Sequence, residues 1–366
     1  MATVENRIAS NTVFAVLISV TVCHLINDTL QALMLAIYPI LRDSYALTFA
    51  QIGIITMVFQ VTASILQPLI GLYTDRRPLP YSLPLAPAFT LLGVLLLAFA
   101  TSYAAILVAA AAVGIGSAIF HPEASRVARI ASGGRFGMAQ SLFQVGGNIG
   151  SSIGPLLAAW IILPHGQSTV LWFGAIALTA VGILSSVGRW YSHHLRPKNT
   201  ARPAPALSHN LSSRTVSLSL LILLALMFSK FVYTSAFSSF YTFYLIDHFQ
   251  VPVKDAQIYL FVYLGAFAIC TFAGGPIGDR IGRKAVIWFS ILGALPFTLA
   301  LPYADLFWAN VLVVLIGLVM SSAFSAIVVM AQELVPGRVG MIAGIFFGFA
   351  FGMGGLAAAV LGVVAD

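Results

Sequence analysis

Charged side chains are scarce in this sequence. Lys, Arg, Asp and Glu make up 8% of its 366 residues, whereas an ordinary soluble domain carries about 25%. Eighteen basic and eleven acidic residues cannot cover a water-facing surface on a chain that is 60% hydrophobic. The composition therefore excludes a soluble globular protein and predicts a surface that faces lipid.

The sequence also lacks the short alternating segments of a membrane β-barrel. Its apolar runs continue for about twenty residues, the length of a helix that crosses a bilayer, and this predicts an all-α membrane protein. No cleavable signal pattern precedes the first run, so we interpret that run as a spanning helix. The predicted spans are 12–41, 49–72, 83–101, 103–129, 136–163, 169–189, 215–246, 256–278, 284–301, 304–332 and 338–366.

Motifs for ATP use, catalysis and metal binding are missing as well. No Gly-x-x-x-x-Gly-Lys-Ser/Thr loop or His-Glu-x-x-His pattern occurs, and the histidines lie on different spans or in a linker. The two cysteines, Cys23 and Cys270, lie in apolar runs without ligand spacing, as buried small hydrophobic residues do. We therefore expect no catalytic residues, no metal site and no cofactor. An intramembrane enzyme is the remote alternative.

The middle of the chain has a different composition. Residues 190–214 contain three prolines, five serines or threonines and several basic residues, which is typical of a linker. This predicts an N-terminal six-helix half over 1–189, a cytoplasmic linker over 190–214 and a C-terminal half over 215–366.

Two landmarks repeat at nearly the same offset. Gly71 to Arg76 recurs as Gly275 to Arg280, 204 residues later, and Gly134 to Met138 recurs as Gly337 to Met341, 203 residues later. Two homologous halves of six spans explain this repetition. Such a plan needs twelve spans, so we expect that the twelfth is missing from the eleven found here.

The positive charge is distributed unevenly. With the N-terminus placed inside, fifteen basic residues fall in or beside cytoplasmic loops, and only Arg42 and Lys254 fall outside. This is the asymmetry of the positive-inside rule. The net charge of +7 is therefore interpreted as a topology signal, and no nucleic-acid partner is expected.

The repeated loop after the second span of each half resembles the cytoplasmic loop motif of the major facilitator superfamily. Gly275 to Lys284 is a full copy, whereas Gly71 to Arg77 is a degenerate copy followed by Pro78-Leu79-Pro80. An Asp in this loop can bind a neighbouring helix N-terminus and Arg donors, which would latch one conformation. The alternative is plain positive-inside anchoring. The predicted latch residues are Gly71, Asp75, Arg76, Gly275, Asp279, Arg280 and Arg283.

The fifth span is similar to the Gly-Pro motif of that superfamily's drug/proton antiporters. Its motif residues are Gly147, Gly150, Gly154 and Pro155. Generic packing of small residues is the alternative interpretation. One departure from the pattern of these antiporters argues against a standard arginine-based proton relay. Ala110 stands where they often carry a buried arginine. Stretches of the first and fourth spans also resemble a bacterial efflux subfamily that confers resistance to a phosphonate antibiotic.

The first span carries a polar stripe. His24, Asn27, Asp28 and Gln31 follow helical spacing, and a stripe this polar should face a central cavity. Asp28 is the best candidate for proton binding, because an apolar environment disfavours a charged carboxyl group. The alternative is a carboxylate fixed in interhelical hydrogen bonds. His24 is either a second proton-binding group or a structural histidine, and Asn27 and Gln31 are candidates for substrate binding.

The fourth span carries His121, Glu123 and Arg126. Glu123 and Arg126 are three residues apart and can pair on one face, whereas His121 points elsewhere. Either Glu123 and His121 take part in proton coupling or Arg126 holds an anionic substrate group. A static ion pair near the cytoplasmic end is the alternative.

Further substrate contacts are predicted in the fifth and seventh spans. Gln144 and Asn148 are polar positions of the fifth span, and Lys230 is a lone cation within the seventh, with Tyr233 and Tyr241 on its face. A cation beside aromatic rings suits an organic anion. An ion pair with Asp28 or Glu123, or simple packing, remains possible for Lys230.

These features and the resemblance imply a monomeric proton antiporter of the bacterial inner membrane. It would export a small drug-like compound, anionic or phosphonate-bearing, by alternating access driven by the proton gradient. A proton-coupled importer or exchanger of a small organic anion on the same fold is the alternative. Its expected partners are protons, the bilayer and the small-molecule substrate.

Overall fold

The computed structural model describes residues 8–195, 211–350 and 352, and within these ranges all regular structure is helical. Nine stretches of the described residues are long and apolar enough to cross a membrane. Two shorter apolar helices, Ser82–Ala98 and Val339–Ala350, complete the series. Together they fall at the eleven predicted spans, of which 338–366 lies only partly within the described residues.

The helices are numbered in chain order: α1 Phe14–Ala36, α2 Tyr38–Tyr45, α3 Phe49–Arg76, α4 Ser82–Ala98, α5 Tyr103–Ala131, α6 Phe136–Leu157, α7 Leu163–His165, α8 Phe173–Leu195, α9 Ser213–Phe249, α10 Val253–Ile281, α11 Arg283–Leu292, α12 Leu295–Ala300, α13 Leu306–Ser321, α14 Ala323–Leu334 and α15 Val339–Ala350. Polar caps fix several starts. Thr48 and Gln51 form a capping box on α3, and Asp305 caps α13 by accepting from the Trp308 amide at 2.9 Å.

The chain forms two compact units. The first contains the described residues of 8–134, 142–195 and 335–348. Helix α5 is buried along most of its length and packs on α3 and α4. Its glycines permit this approach: a Cβ at Gly114 would lie 2.8 Å from the Phe59 carbonyl oxygen, and one at Gly116 would lie 2.7 Å from that of Ala86.

The second unit contains the described residues of 135–141, 211–334 and 349–352. Helix α10 lies against α9, α13 and α14. Gly274 allows the close approach of α10 to the break between α13 and α14, because a Cβ there would lie 2.7 Å from the Ser322 Cα. A core cluster of this unit consists of Tyr241, Leu245, Val251, Ala256, Tyr263 and Val313.

Helix also extends into the predicted linker from both sides. Helix α8 continues to Leu195 and α9 begins at Ser213, while residues 196–210 lie outside the described part of the chain. The division into halves at 1–189 and 215–366 stays a prediction.

Polarity is inverted relative to a soluble protein. Large apolar side chains such as Ile18, Phe261 and Ile269 are exposed, whereas Asp28, Glu123 and other polar groups are buried. An exposed apolar surface of this extent suits lipid rather than water. The ionisable side chains inside the helices are therefore the first places to look for function.

Candidate functional site

One carboxylate and two imidazoles meet in the interior of the first unit. The Oδ2 atom of Asp28 lies 3.3 Å from His24 Nε2, and its Oδ1 atom lies 3.7 Å from His121 Nε2. All three side chains are buried. We call His24, Asp28 and His121 the Asp28 cluster. Helix α1 supplies the first two residues and α5 supplies the third, which the sequence had placed on a separate stripe.

Backbone carbonyls fix both imidazole rings. The Nδ1 atom of His24 lies 2.7 Å from the Phe143 carbonyl oxygen, and that of His121 lies 2.9 Å from the Ser117 carbonyl oxygen. Since a carbonyl only accepts, each Nδ1 carries a proton, and a ring that is neutral has its lone pair on Nε2, the atom that faces Asp28. The cluster therefore gathers electron-pair donors around one carboxylate, an arrangement that suits a proton or another cation.

Two amides orient the Asp28 carboxylate. Asn27 Nδ2 donates to its Oδ1 atom at 3.0 Å, and Gln31 Nε2 donates to the same atom at 3.2 Å. The predicted stripe on α1 thus converges on a single carboxylate. Because these two amides bind Asp28, their predicted contact with substrate stays a prediction.

Aromatic rings surround the histidines. His24 stacks on Phe143 with ring centroids 4.1 Å apart, and its ring also meets Phe120. The ring of His121 lies 5.2 Å from that of Phe347. This apolar wall strengthens electrostatic interactions within the Asp28 cluster.

The glycines of the antiporter-type motif bring α6 against α1 at the same place. An ideal Cβ at Gly147 would lie 2.5 Å from His24 Nε2 and 2.7 Å from Asp28 Oδ2. Further along α1, a Cβ at Gly150 would meet the Leu25 carbonyl oxygen, and one at Gly154 would lie 2.5 Å from the Ala32 Cβ and 3.0 Å from the Thr29 carbonyl oxygen. Small residues are thus required sterically where this helix passes the Asp28 cluster.

Helix α6 also carries the two predicted substrate contacts of the fifth span and the proline of the antiporter-type motif. Gln144 Nε2 donates to Asn148 Oδ1 at 3.3 Å, and both side chains are half-buried. Pro155 lies within α6, but its side chain is outside the described part of the structure.

The first loop motif binds the start of α15. The Asp75 carboxylate accepts hydrogen bonds from the backbone amides of Gly340 and Met341 at 3.0 and 2.8 Å. It also accepts from Arg126 Nε and Nη2 at 3.1 and 2.8 Å. Arg126 in turn pairs with Glu123. We call Asp75, Glu123 and Arg126 the first ion triad.

Arg126 is held from several directions. Besides its two carboxylates, its Nη2 atom donates to Thr74 Oγ1 at 2.8 Å and to the Gly71 carbonyl oxygen at 3.2 Å. The side chain is 0% exposed. The sequence predicted that Glu123 and Arg126 can pair, and the structure shows this pair and joins it to the loop motif through Asp75; the transport roles of both residues stay predictions.

The second loop motif binds the start of α6 in the same way. Asp279 accepts from the amides of Gly137 and Met138 at 2.9 and 2.8 Å. Arg283 lies 2.6 Å from Asp279 and 3.3 Å from Glu333. These three charged side chains form the second ion triad. The sequence did not identify Glu333, which comes from the end of α14.

The other latch residues take different positions. A Cβ at Gly71 would lie 2.6 Å from the Met341 amide nitrogen, and one at Gly275 would lie 2.6 Å from the Gly137 carbonyl carbon. Both glycines therefore permit backbone contact. Arg76 and Arg280 are exposed. The predicted latch contacts are present, while their role in holding one conformation stays a prediction.

Lys230 is buried in the second unit. Its amine donates to the Met320 carbonyl oxygen at 3.0 Å, one of the last carbonyls of α13, which ends at Ser321. The negative end of the helix dipole stabilises a cation there. Among the described residues no carboxylate lies within 4.0 Å of this amine.

Two tyrosines of α9 reach neighbouring helices. The hydroxyl of Tyr233 lies 2.7 Å from Thr298 Oγ1, and that of Tyr241 donates to Asn310 Oδ1 at 2.7 Å. These bonds anchor the face of α9 that carries Lys230.

The sequence and fold were compared with those of known proteins. Residues 20–359 match the family described as the Major Facilitator Superfamily. The chain is 56% identical over 357 residues to the fosmidomycin resistance protein of Escherichia coli K12, covering 98% of this chain and 88% of that protein. It is 44% identical to the uncharacterised MFS-type transporter YfnC of Bacillus subtilis 168, covering 97% and 87%.

A solved structure shares the fold. The crystal structure of the Escherichia coli fucose:proton symporter FucP is 16% identical, has a TM-score of 0.73, and covers 96% of this chain and 92% of that one. The family match over most of the chain agrees with the buried charges, the apolar surface and the repeated loop motifs described above. The chain therefore belongs to the Major Facilitator Superfamily and is a multi-pass membrane transporter of small molecules.

Proposed function

We propose that this transporter exports a small anionic drug-like compound in exchange for protons, and that phosphonates such as fosmidomycin are its first candidate substrates. The observation that carries the proposal is the Asp28 cluster, three buried ionisable side chains in a chain 56% identical to a fosmidomycin resistance protein. The direction of transport and the use of protons go beyond that likeness and are tested below.

The Asp28 cluster suits proton coupling because the positions of its side chains are fixed by hydrogen bonds, while its charge changes when a proton binds. The rings are fixed by backbone carbonyls and the carboxylate by two amides. A proton taken up between His24 and Asp28 converts a repulsive contact into a hydrogen bond. Such a change can favour one conformation of the alternating-access cycle.

For the substrate, Lys230 is a better candidate than Arg126, the buried cation of the first ion triad. Arg126 is already neutralised by Asp75 and Glu123. Lys230 has a carbonyl partner instead, which an anionic phosphonate group would outcompete as a charge-assisted acceptor. We therefore assign the anionic end of the substrate to Lys230, with Tyr233 and Tyr241 positioning α9 around it.

The setting of the protein completes the proposal. We infer a location in the bacterial inner membrane with the N-terminus and the linker 190–214 in the cytoplasm, because basic residues concentrate on that side. The ion triads would latch one conformation, and a monomer would suffice for transport without a cofactor.

The test is transport in inverted membrane vesicles, which present the cytoplasmic side outward. If the chain is an exporter, acidifying the vesicle interior drives accumulation of labelled fosmidomycin, and a protonophore abolishes it. Asp28→Asn should lose this gradient-driven accumulation but retain substrate exchange without a gradient. Asp43→Asn, an exposed carboxylate, is the matched control and should transport normally.

Vesicle transport also distinguishes the proposed exporter from the alternative, a proton-coupled importer or an exchanger on the same fold. Accumulation in right-side-out vesicles with an acidic exterior would contradict export and support proton-coupled import. Exchange that ignores the gradient in wild type would contradict proton coupling. Full gradient-driven transport by Asp28→Asn would remove the Asp28 cluster from the coupling step.

A further inference from the structure

The Asp28 cluster has the donor set of a metal site. Three ligand atoms, two imidazole Nε2 atoms and a carboxylate oxygen, lie within 4.8 Å of one another. Two nitrogens and one oxygen are the ligands of many three-residue zinc sites. We propose that His24, Asp28 and His121 bind a divalent transition-metal ion of the Zn²⁺ or Co²⁺ class.

The distances suit a tetrahedral ion. Metal–ligand bonds of about 2.0–2.2 Å place neighbouring tetrahedral ligands roughly 3.3–3.6 Å apart. Asp28 lies 3.3 Å from His24 Nε2 and 3.7 Å from His121 Nε2. These two contacts use different oxygens of Asp28, and one ligand atom of each residue lies within 4.8 Å of the other two. The three side chains must therefore draw together slightly around an ion, and a fourth position remains for water or another small ligand. Imidazole ligands favour Zn²⁺, Co²⁺ and Ni²⁺ over Mg²⁺ and Ca²⁺.

The groups around the ligands are those that metal-bound histidines use. Each ring donates its Nδ1 proton to a backbone carbonyl, of Phe143 and Ser117 respectively, which directs the Nε2 lone pair to the ion. Asn27 and Gln31 hold Asp28 Oδ1 and leave Oδ2 turned toward His24. The site is thus oriented before an ion arrives.

Charge also favours an ion. Among the described residues no Lys or Arg pairs with Asp28, so the ionisable neighbours of this buried carboxylate are two imidazoles. A divalent ion would compensate this charge in an apolar setting, where compensation matters most. The sequence predicted no metal site because the histidines lie on different spans, and only folding brings α1 and α5 together.

Protons and a metal ion compete for the same lone pairs. The metal proposal shares residues with the proposed coupling site, but it requires neither export nor a proton gradient. Bound metal should therefore slow gradient-driven transport, while metal binding itself is measurable without substrate.

The experiment titrates purified full-length protein in detergent with Zn²⁺ by calorimetry and with Co²⁺ by visible absorption. Wild type should bind one equivalent and give the intense spectrum of tetrahedral Co²⁺. We expect each of three variants, His24→Gln, Asp28→Asn and His121→Gln, to weaken metal binding by at least roughly tenfold. Loss of a residue that only orients a metal ligand already lowers metal affinity by about this factor. Size-exclusion profiles show whether each variant is folded.

His165→Ala is the matched control. His165 is exposed and also hydrogen-bonds a carbonyl through Nδ1, at 2.8 Å from Ile161, yet it is not part of the cluster. It should bind metal as wild type does. Absence of binding by folded wild type, or equal binding by the folded Asp28→Asn and His121→Gln variants, would overturn the metal site and leave the vesicle assay unaffected.

Discussion

Replacement of Arg126 by methionine tests how the first loop motif is held. The change keeps a long apolar side chain but removes the hydrogen bonds to Asp75, Glu123, Thr74 and the Gly71 carbonyl. Asp75 keeps its two backbone amides from α15, whereas Glu123 keeps, among the residues that the structure describes, only the Ser82 hydroxyl at 3.2 Å. Glu123 is therefore left as a buried charge without a cation.

The expected cost follows from that buried charge. Removing one partner of a buried ion pair costs about 3–5 kcal/mol. At roughly 2–4 °C per kcal/mol, thermal unfolding in detergent should shift down by about 10 °C. Adding Glu123→Gln to Arg126→Met removes the stranded charge and should recover much of this loss. Fluorescence-detected unfolding of the two variants beside wild type provides the measurement.

The second ion triad provides an internal control. Arg283 and Glu333 have side chains 14% and 30% exposed, against 0% for Arg126 and 2% for Asp75. Partly exposed pairs contribute about 0–1 kcal/mol, so Arg283→Met should shift unfolding by only a few degrees. Equal shifts for the two arginine variants, or no recovery when Glu123→Gln is added, would refute the reasoning from burial.

Two further predictions concern the helix contacts and the substrate. Gly150→Ala should destabilise the protein, because its Cβ would lie 3.0 Å from the Thr29 amide nitrogen and closer to another α1 backbone atom. Gly182→Ala, where no described atom would lie within 4 Å of the new Cβ, should be neutral or stabilising by up to about 1 kcal/mol in the same unfolding assay. Lys230→Met should weaken uptake of an anionic phosphonate more than Lys230→Arg does, measured as half-saturating concentration. Equal effects of both would exclude a charge role for Lys230.

The sequence predicted what depends on local spacing. Bilayer-length apolar runs give the spans, and helical periodicity gives the stripe of His24, Asn27, Asp28 and Gln31 that meets at one carboxylate. It did not predict that His121 joins them. That contact depends on how α5 packs on α1, which the periodicity within one helix does not specify. The pairing of Glu123 with Arg126, three residues apart, was predicted and is present, whereas the contact of Arg126 with Asp75 of another helix was not.

The two repeated landmarks of the sequence bind each other in the structure. Each loop aspartate bonds the two amides of a Gly-Met pair from the other landmark: Asp75 binds Gly340 and Met341, and Asp279 binds Gly137 and Met138. These pairs lie at the second and third positions of α15 and α6, where free amides and the helix dipole favour an anion. Both landmarks recur in each half because every such contact needs one loop aspartate and one Gly-Met pair.

The degenerate first loop then has a physical explanation. In the second loop the arginine partner of Asp279 is Arg283, supplied by the motif itself. The offset of 204 places Leu79 at the corresponding position of the first copy. Asp75 obtains its guanidinium from Arg126 of α5 instead. The first copy can lack its own arginine because a buried one on another helix replaces it, and the first ion triad is therefore less exposed than the second.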